Sequence, residues 1–193
     1  MKLYLIRHGQ SCANRDDLFS TPTVELTENG RKDAERAGRL IAHIPFDRVL
    51  VSPYLRARET QRIAMPDADA EVVDALHEFN CGVLEGHSIP EMFDRYPSLS
   101  EDRPVDNYAR YGGEDYADVR QRVRDVMDYV TSLGVERVAA FTHVGFILTF
   151  FDEVMGREGK IGRRMMCKNG SVNVFEYRNG KWWAAAMNIT EDY

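Results

Sequence analysis

The chain alternates short apolar runs of strand length with longer stretches in which apolar residues recur at helical spacing. The apolar runs occupy residues 3–6, 48–51, 71–76 and 137–142. The stretches with helical spacing begin near residues 27, 52, 115 and 143. Strands that alternate with helices predict an α/β fold, in which helices cover both faces of a mostly parallel sheet.

Polar residues and prolines predict where the helices begin and end. Thr27 is a predicted N-cap, and Pro45 is expected to stop that helix. Ser52 and Pro53 have the pattern of an N-cap followed by proline at the first helical position, which places Arg56 in the first turn. Gly134 is expected to end a further helix over residues 115–133.

Three segments lie outside this alternation. Residues 10–26 are polar and irregular, so they are predicted to form a loop over the end of the first strand. Residues 87–114 contain three prolines and a Gly-Gly pair, which predicts an excursion over the sheet edge that covers the substrate. Ser171–Tyr177 and Lys181–Met187 flank an Asn-Gly pair, which predicts a hairpin with a type I′ turn.

Composition indicates one globular domain over residues 1–193. The formal net charge of −6 argues against nonspecific nucleic-acid binding. No apolar run approaches the roughly 20 residues that span a bilayer, and the N-terminal run does not fit a secretory signal, so we expect no membrane association and a cytoplasmic location. Cys12, Cys81 and Cys167 lack paired spacing and are expected to be reduced thiols.

Residues whose side chains can take part in catalysis or ligand binding follow the predicted strands. Arg7-His8, Glu78 and His143 come after three strands, and Arg56 follows the strand that ends near Ser52. In open parallel sheets, ligands bind at the carboxyl ends of the strands, so these side chains are expected to converge. Each residue alone has a plainer interpretation, such as a solvated helix charge for Arg56.

Two histidines, two arginines and a carboxylic acid suit phosphoryl transfer. Arginine binds phosphate oxygens in pairs, neutral imidazole attacks phosphorus, and a carboxylic acid protonates the departing alkoxide. The sequence contains no Walker loop, HExxH or paired aspartate cluster, so metal-dependent transfer is disfavoured and no metal or cofactor is expected. It also lacks the Gly-x-Ser-x-Gly elbow of many serine hydrolases.

The ordered motifs between residue 3 and about residue 150 resemble those of the histidine phosphatase superfamily, also called phosphoglycerate mutase-like. This resemblance implies a three-layer α/β/α sandwich. The residues that carry it are Arg7-His8-Gly9-Gln10-Ser11, Asn14, Leu26-Thr27, Gly30, Ser52, Arg56-Ala57, Thr60, Leu76, Glu78, Gly82, Glu85-Gly86, Gly113-Glu114, His143 and Gly145.

The resemblance also implies roles for individual residues. His8 would be the nucleophile that becomes phosphorylated, and Glu78 would protonate the leaving oxygen and then activate water. The residues implied to bind the phosphoryl group and substrate are Arg7, Gln10, Asn14, Arg56 and His143. Thr23, Glu25, Asp33 and Val144 depart from the usual family pattern, which leaves substrate contacts near residues 19–25 open.

The chemistry requires particular protonation states. His8 must be neutral, and Arg7 and Arg56 should lower its pKa. His143 is expected to serve best as a cation. Glu78 must arrive protonated, which requires partial burial or the approach of a substrate dianion.

We therefore predict a metal-independent phosphatase that hydrolyses a small-molecule phosphate monoester through a phosphohistidine. A phosphoglycerate mutase is the alternative within the family, disfavoured by the modest length of residues 86–113. A noncatalytic phospho-ligand binder is disfavoured because His8 and Glu78 are both present. Neither the natural substrate nor the oligomeric state follows from the sequence.

For several neighbours of the proposed site, a structural role competes with a functional one. His77 and His87 are expected to be surface residues. Packing is at least as plausible as pocket lining for Phe79, Tyr108 and Tyr111. Redox regulation through Cys12 or Cys81 is an open hypothesis.

Overall fold

The computed structural model describes residues 1–102, 107–156 and 165–191. Six strands from both ends of the chain form one sheet in the order β3-β2-β4-β1-β5-β6. The strands are β1 (Lys2–Arg7), β2 (Arg48–Val51), β3 (Ala70–Val72), β4 (Arg137–Thr142), β5 (Val172–Arg178) and β6 (Lys181–Ile189).

Most of the sheet is parallel, as predicted. Strand β1 pairs in parallel with β4, and β2 pairs in parallel with both β4 and β3. The C-terminal strands β5 and β6 add an antiparallel edge. The carboxyl ends of β1, β4 and β2 therefore lie side by side at one edge of the sheet.

Helices cover both faces of the sheet, which confirms the three-layer α/β/α architecture. The helices are α1 (Cys12–Arg15), α2 (Glu28–Ile41), α3 (Leu55–Ala64), α4 (Ile89–Arg95), α5 (Leu99–Asp102), α6 (Tyr116–Ser132) and α7 (Val144–Val154). Successive residues of a strand point to opposite faces. Accordingly, Leu5 packs in the cluster that contains α6 and α7, whereas Ile6 packs in the cluster that contains α2 and α3.

Two helix boundaries differ from the predictions. Thr27 caps α2 by accepting a hydrogen bond from Gly30 N (3.0 Å), but the helix ends at Ile41, before Pro45.

Helix α3 begins at Leu55, so Ser52 and Pro53 are not its cap and first residue. The Ser52 hydroxyl bonds instead to His143 and to the backbone N–H of Tyr54. Arg56 nevertheless lies in the first turn, as expected.

The third strand is shorter than predicted and ends at Val72 rather than at Leu76. Val73 N donates to the carbonyl of Val51, the last residue of β2, so the partner strand has ended there. The chain then enters a 3₁₀ turn over Asp74–Leu76. Glu78 consequently follows this turn and not a strand end.

The segment over residues 10–26 is not wholly irregular. It contains α1, whose N-terminus is capped by Ser11 and Asn14 through a reciprocal capping box. Leu18 forms an isolated bridge to Ser88, so this segment also contacts the start of the 87–114 segment.

The described part of the 87–114 segment contains α4, α5 and a 3₁₀ turn over Ala109–Tyr111. Residues 103–106, which include Pro104, lie outside the described residues. Phe79, Tyr108 and Tyr111 are 4 to 7% exposed and belong to the main core cluster. Packing is therefore their observed role.

The other predicted strand and hairpin boundaries lie within one or two residues of the observed ones. Helix α6 ends just before Gly134, and β4 covers the predicted range. Asn179 and Gly180 both have positive φ angles, as a type I′ turn requires. Among the described residues, none of the helices is long and apolar enough to span a membrane.

Candidate active site

His8 lies directly beyond β1 and is 2% exposed. Its Nδ1 lies 2.7 Å from Gly9 O, and since a carbonyl oxygen only accepts, Nδ1 carries the proton. The other ring nitrogen, Nε2, accepts a hydrogen bond from Arg56 Nε at 3.3 Å. The lone pair of His8 is thus on Nε2, and the ring orientation is fixed by its two contacts.

The turn after His8 is held by close backbone packing. Gly9 N donates to Thr60 Oγ1 at 3.0 Å, which ties the turn to α3. A Cβ on Gly9 would lie 2.1 Å from Gly30 O. Only glycine permits this approach, so the motif glycines allow α2 and α3 to hold His8 in place.

Burial and two cations keep His8 neutral. Desolvation lowers the pKa of His8 well below 6.5, and Arg56 and Arg7 lower it further. This direction agrees with the expectation from the sequence. Burial also lowers the pKa of Arg56 to about 10, so that guanidinium remains cationic at neutral pH.

The two arginines are anchored by main-chain carbonyls. Arg56 is 1% exposed and donates through Nη1 to Thr21 O at 2.9 Å. Arg7 donates through Nη1 to Cys167 O. Both side chains are therefore oriented before any substrate contact.

His143 lies directly beyond β4 and is fully buried. Its ring centroid is 5.1 Å from that of His8, and Ser52 Oγ is hydrogen-bonded to its Nε2 at 2.8 Å. Burial, followed by the charges of Arg56 and the other site residues, lowers the pKa of His143 well below 6.5. Without a bound oxyanion, desolvation and neighbouring cations thus oppose the positive charge that the sequence analysis expects His143 to carry.

Two buried nitrogen atoms of this cluster, Arg7 Nε and His143 Nδ1, have no hydrogen-bond partner among the described residues. Buried polar groups are usually paired, so such atoms call for an explanation. Arg7 Nε is a donor, and an oxyanion is a chemically suitable acceptor for it. His143 Nδ1 donates only when it carries a proton, and the hydrogen bond between Nε2 and Ser52 Oγ is compatible with either tautomer.

Glu78 is held near His143 by two backbone amides. Its Oε1 accepts from Phe79 N at 3.0 Å and its Oε2 accepts from Gly145 N at 3.2 Å. A Cβ on Gly145 would lie 2.3 Å from Glu78 Oε1. Gly145, in the first turn of α7, therefore permits the carboxylate to approach the helix N-terminus.

Tyr54 belongs to the site but was not singled out from the sequence. Its ring lies 5.0 Å from the guanidinium of Arg56 and 5.3 Å, edge to face, from the ring of His143. His77 stacks on the same ring at 5.8 Å. No sequence motif marks Tyr54, and its role emerges only from the way α3 begins.

Gln10 and Asn14 are engaged with other protein groups. Gln10 Oε1 accepts from the hydroxyl of Thr27 at 2.8 Å. Asn14 Oδ1 accepts from Ser11 N and from Asn169 Nδ2. Asn169, which the sequence did not single out, also donates to His8 O at 3.0 Å.

None of the three cysteines forms a disulfide bond within the described residues. Cys12 and Cys81 are partly buried, and Cys167 is buried. Within the part of the chain that the structure describes, no group of three or more His, Cys, Asp or Glu side chains is arranged to hold a metal ion.

The fold and the buried histidine-arginine cluster agree with one protein family. The model of the histidine phosphatase superfamily (branch 1) matches residues 3–190, and the chain belongs to this superfamily of phosphatases. An acid phosphatase of Mycobacterium tuberculosis is 30% identical over 200 residues, which cover 98% of this chain and 93% of the relative. A phosphoglycerate mutase of Candida albicans is 35% identical over 140 residues, which cover 61% of this chain and 56% of the relative.

Solved structures agree on the fold. A putative alpha-ribazole-5′-P phosphatase of Escherichia coli superposes with a TM-score of 0.89 at 22% identity, covering 98% of this chain and 96% of that one. The chain spans only part of several curated relatives, the Candida albicans mutase included, with 28 to 56% of the relative covered in four cases. The family match and the superposition establish the family and the fold.

Proposed function

We propose that the protein hydrolyses a small phosphate monoester without a metal ion, through a phosphohistidine on His8. The observation that carries this proposal is the state of His8. Its Nε2 lone pair is oriented by the Nδ1 contact to Gly9 O and lies next to Arg56. A neutral, oriented imidazole beside fixed cations has the properties of a nucleophile for phosphorus.

In the proposed first step, His8 Nε2 forms a bond to phosphorus while the bond from phosphorus to the ester oxygen breaks. Arg7, Arg56 and His143 bind the transferring oxygens. Arg7 Nε, which has no partner among the described residues, supplies one donor, and His143 supplies another through Nδ1 once that nitrogen carries a proton. The dianion also raises the pKa of His143, opposing the effect of burial. Glu78 gives its proton to the departing alkoxide, which leaves as an alcohol.

In the second step, the Glu78 carboxylate takes a proton from water as the water oxygen attacks phosphorus. The bond to His8 breaks, inorganic phosphate leaves, and Glu78 is again protonated. Gln10 and Asn14 remain candidate substrate contacts at the edge of the site. The single domain over residues 1–193, with 87–114 as the substrate cover, is part of the same proposal.

The test is turnover of 4-nitrophenyl phosphate with and without a chelator, combined with rapid quenching in alkali, where phosphohistidine survives. We expect turnover that the chelator does not change, and one phosphoryl group located on His8 by peptide mass analysis. His8→Ala should lose both. Turnover retained by His8→Ala, or turnover abolished by the chelator, would contradict the proposal.

Phosphoglycerate mutase activity is the second candidate, since the curated relatives include proteins of that name. A mutase would convert 3-phosphoglycerate to 2-phosphoglycerate faster than it releases phosphate when a bisphosphoglycerate primer is present. A phosphatase would release phosphate under the same conditions. The product ratio therefore separates the two activities.

A further inference from the structure

Arg122, on α6, holds the backbone on the N-terminal side of Glu78. Its Nη1 donates to Ala75 O at 2.8 Å and to His77 O at 2.7 Å. Ala75 lies in the 3₁₀ turn, and His77 directly precedes Glu78. A single guanidinium nitrogen therefore ties the backbone before Glu78 to a long, packed helix.

The rest of the Arg122 fork binds Glu114. Nε and Nη2 donate to Oε1 and Oε2 of the Glu114 carboxylate, each at 3.1 Å. The two side chains are 11% and 19% exposed, so most of this ion pair is shielded from water. The bidentate geometry needs the planar fork of arginine, which lysine does not have.

Glu114 in turn holds the backbone on the C-terminal side of Glu78. Its Oε2 accepts from Asn80 N at 2.9 Å, and its own N donates to Asn80 O at 2.9 Å. A Cβ on the preceding Gly113 would lie 2.2 Å from the same Asn80 carbonyl. The ion pair between Arg122 and Glu114 thus forms hydrogen bonds with the backbone on both sides of Glu78, at residues 75 and 77 and at residue 80.

The same contacts join the proposed acid to the 87–114 segment, because Glu114 is the last residue of that segment. Tyr108 N donates to Glu114 O at 2.9 Å, which connects the ion pair to the buried aromatic part of the segment. An ion pair this well shielded is costly to desolvate, so stability alone is a weak reason for it. Its contacts converge on the backbone around Glu78.

We propose that Arg122 and Glu114 are positioning residues that set the place of the Glu78 carboxyl group at the leaving oxygen. They act through the backbone of residues 75–80 and do not touch the substrate. This inference rests on the proposed role of Glu78 as proton donor. It predicts that loosening the ion pair impairs protonation of the leaving group and leaves phosphoryl binding intact.

The test compares two esters that differ in their need for a proton. A simple alkyl phosphate requires protonation of its leaving alkoxide, whereas 4-nitrophenolate leaves readily without it. General acid catalysis contributes about 10²- to 10⁴-fold, and a displacement of about 1 Å costs up to about 10²-fold. We expect Arg122→Lys to lower kcat/KM for the alkyl ester by about 10- to 100-fold and for the aryl ester by less than about 3-fold.

Arg124→Lys is the matched control on the same helix. Arg124 pairs with Glu153, its side chain is 46% exposed, and none of its hydrogen bonds reaches residues 75–80 among the described contacts. Both esters should be hydrolysed by Arg124→Lys at the rate of the unchanged protein. Glu114→Gln retains the shape of Glu114 while removing its charge, and it tests the inference even where Arg122→Lys does not fold.

The outcomes separate the positioning role from the proposed function. In kcat/KM, which reports only the steps up to formation of the phosphohistidine, Glu78→Gln should show the same preference for the aryl ester, more strongly than either positioning variant. If Glu78→Gln lowers kcat/KM equally for both esters, the proton-donor role itself is wrong. If Glu78→Gln discriminates but folded Arg122→Lys or Glu114→Gln does not, the positioning role is wrong.

Discussion

Protonation of the buried histidines should make the stability of the protein depend on pH. Burial, followed by Arg56, lowers the pKa of His8 and of His143 well below the ordinary value of 6.5. In the unfolded chain both side chains titrate near 6.5. Between the folded and unfolded pKa values, the unfolded state therefore binds one more proton per histidine, and the free energy of unfolding falls as the pH falls.

The size of this effect follows from the linkage relation. Each pH unit below the unfolded pKa costs about 1.4 kcal/mol per histidine, as long as the pH stays above the folded pKa. At pH 5.5, one unit below 6.5, His8 and His143 together remove about 3 kcal/mol. That is a large part of the roughly 5 to 15 kcal/mol that stabilises a typical domain.

Urea unfolding at pH 7.5 and at pH 5.5 measures the effect, with His8→Asn as the variant. Carboxylates also titrate on the acid side, so the informative quantity is the difference between the two proteins. The unchanged protein should lose about 1.4 kcal/mol more than His8→Asn between the two pH values. Replacing the exposed His43 by Asn should leave the loss unchanged. An equal loss in His8→Asn and in the unchanged protein would refute the assignment of a buried, neutral His8.

Two further substitutions test the geometry of the site. Gly145→Ala places a methyl group 2.3 Å from Glu78 Oε1, so kcat should fall by about 10²-fold while phosphate binding, measured by product inhibition, changes little. Ser52→Ala leaves the buried Nε2 of His143 without its 2.8 Å partner. Loss of such a partner costs about 1 to 3 kcal/mol, which thermal unfolding should register, and kcat/KM should fall with it.

The parts of the fold that the sequence predicted well are governed by local rules. The runs that form β2 and β4 are apolar and bounded by polar residues, so their limits are visible in the chain. The Asn179-Gly180 turn was predictable because few other residue pairs adopt two positive φ angles. Such features need no knowledge of the neighbouring elements.

The predicted end of the third strand was wrong for a reason that lies outside the sequence of the strand itself. Residues 71–76 have a pattern compatible with a strand throughout. Their pairing with β2 stops because β2 ends at Val51. The chain then turns, and Leu76 is fully buried. The length of an edge strand depends on its partner, and the partner lies about 20 residues away in the chain.

The two histidines of the site were predictable from the order of the elements, whereas the residues that contact and orient the site residues were not. His8 and His143 follow neighbouring parallel strands, so the order of strands and helices was enough to bring them together. Ser52 could be assigned to the wrong task because a helix cap and a histidine partner use the same hydroxyl. Tyr54 and Arg122 carry no motif signal, since their contacts depend on how α3 and α6 are rotated.

The division between predictable and unpredictable residues also follows the chemistry. In the proposed mechanism, the groups that bind the phosphoryl oxygens lie at the ends of β1 and β4 and at the start of α3, where the sheet fixes their spacing. The proposed acid, Glu78, lies in residues 75–80, whose backbone is held by Arg122 of α6, by Thr142 of β4 and by Glu114 at the end of the 87–114 segment. We therefore expect a change in the 87–114 segment to alter the placement of Glu78 without altering the proposed phosphoryl pocket. On this proposal, substrate preference would diverge among chains that share His8 and the two arginines.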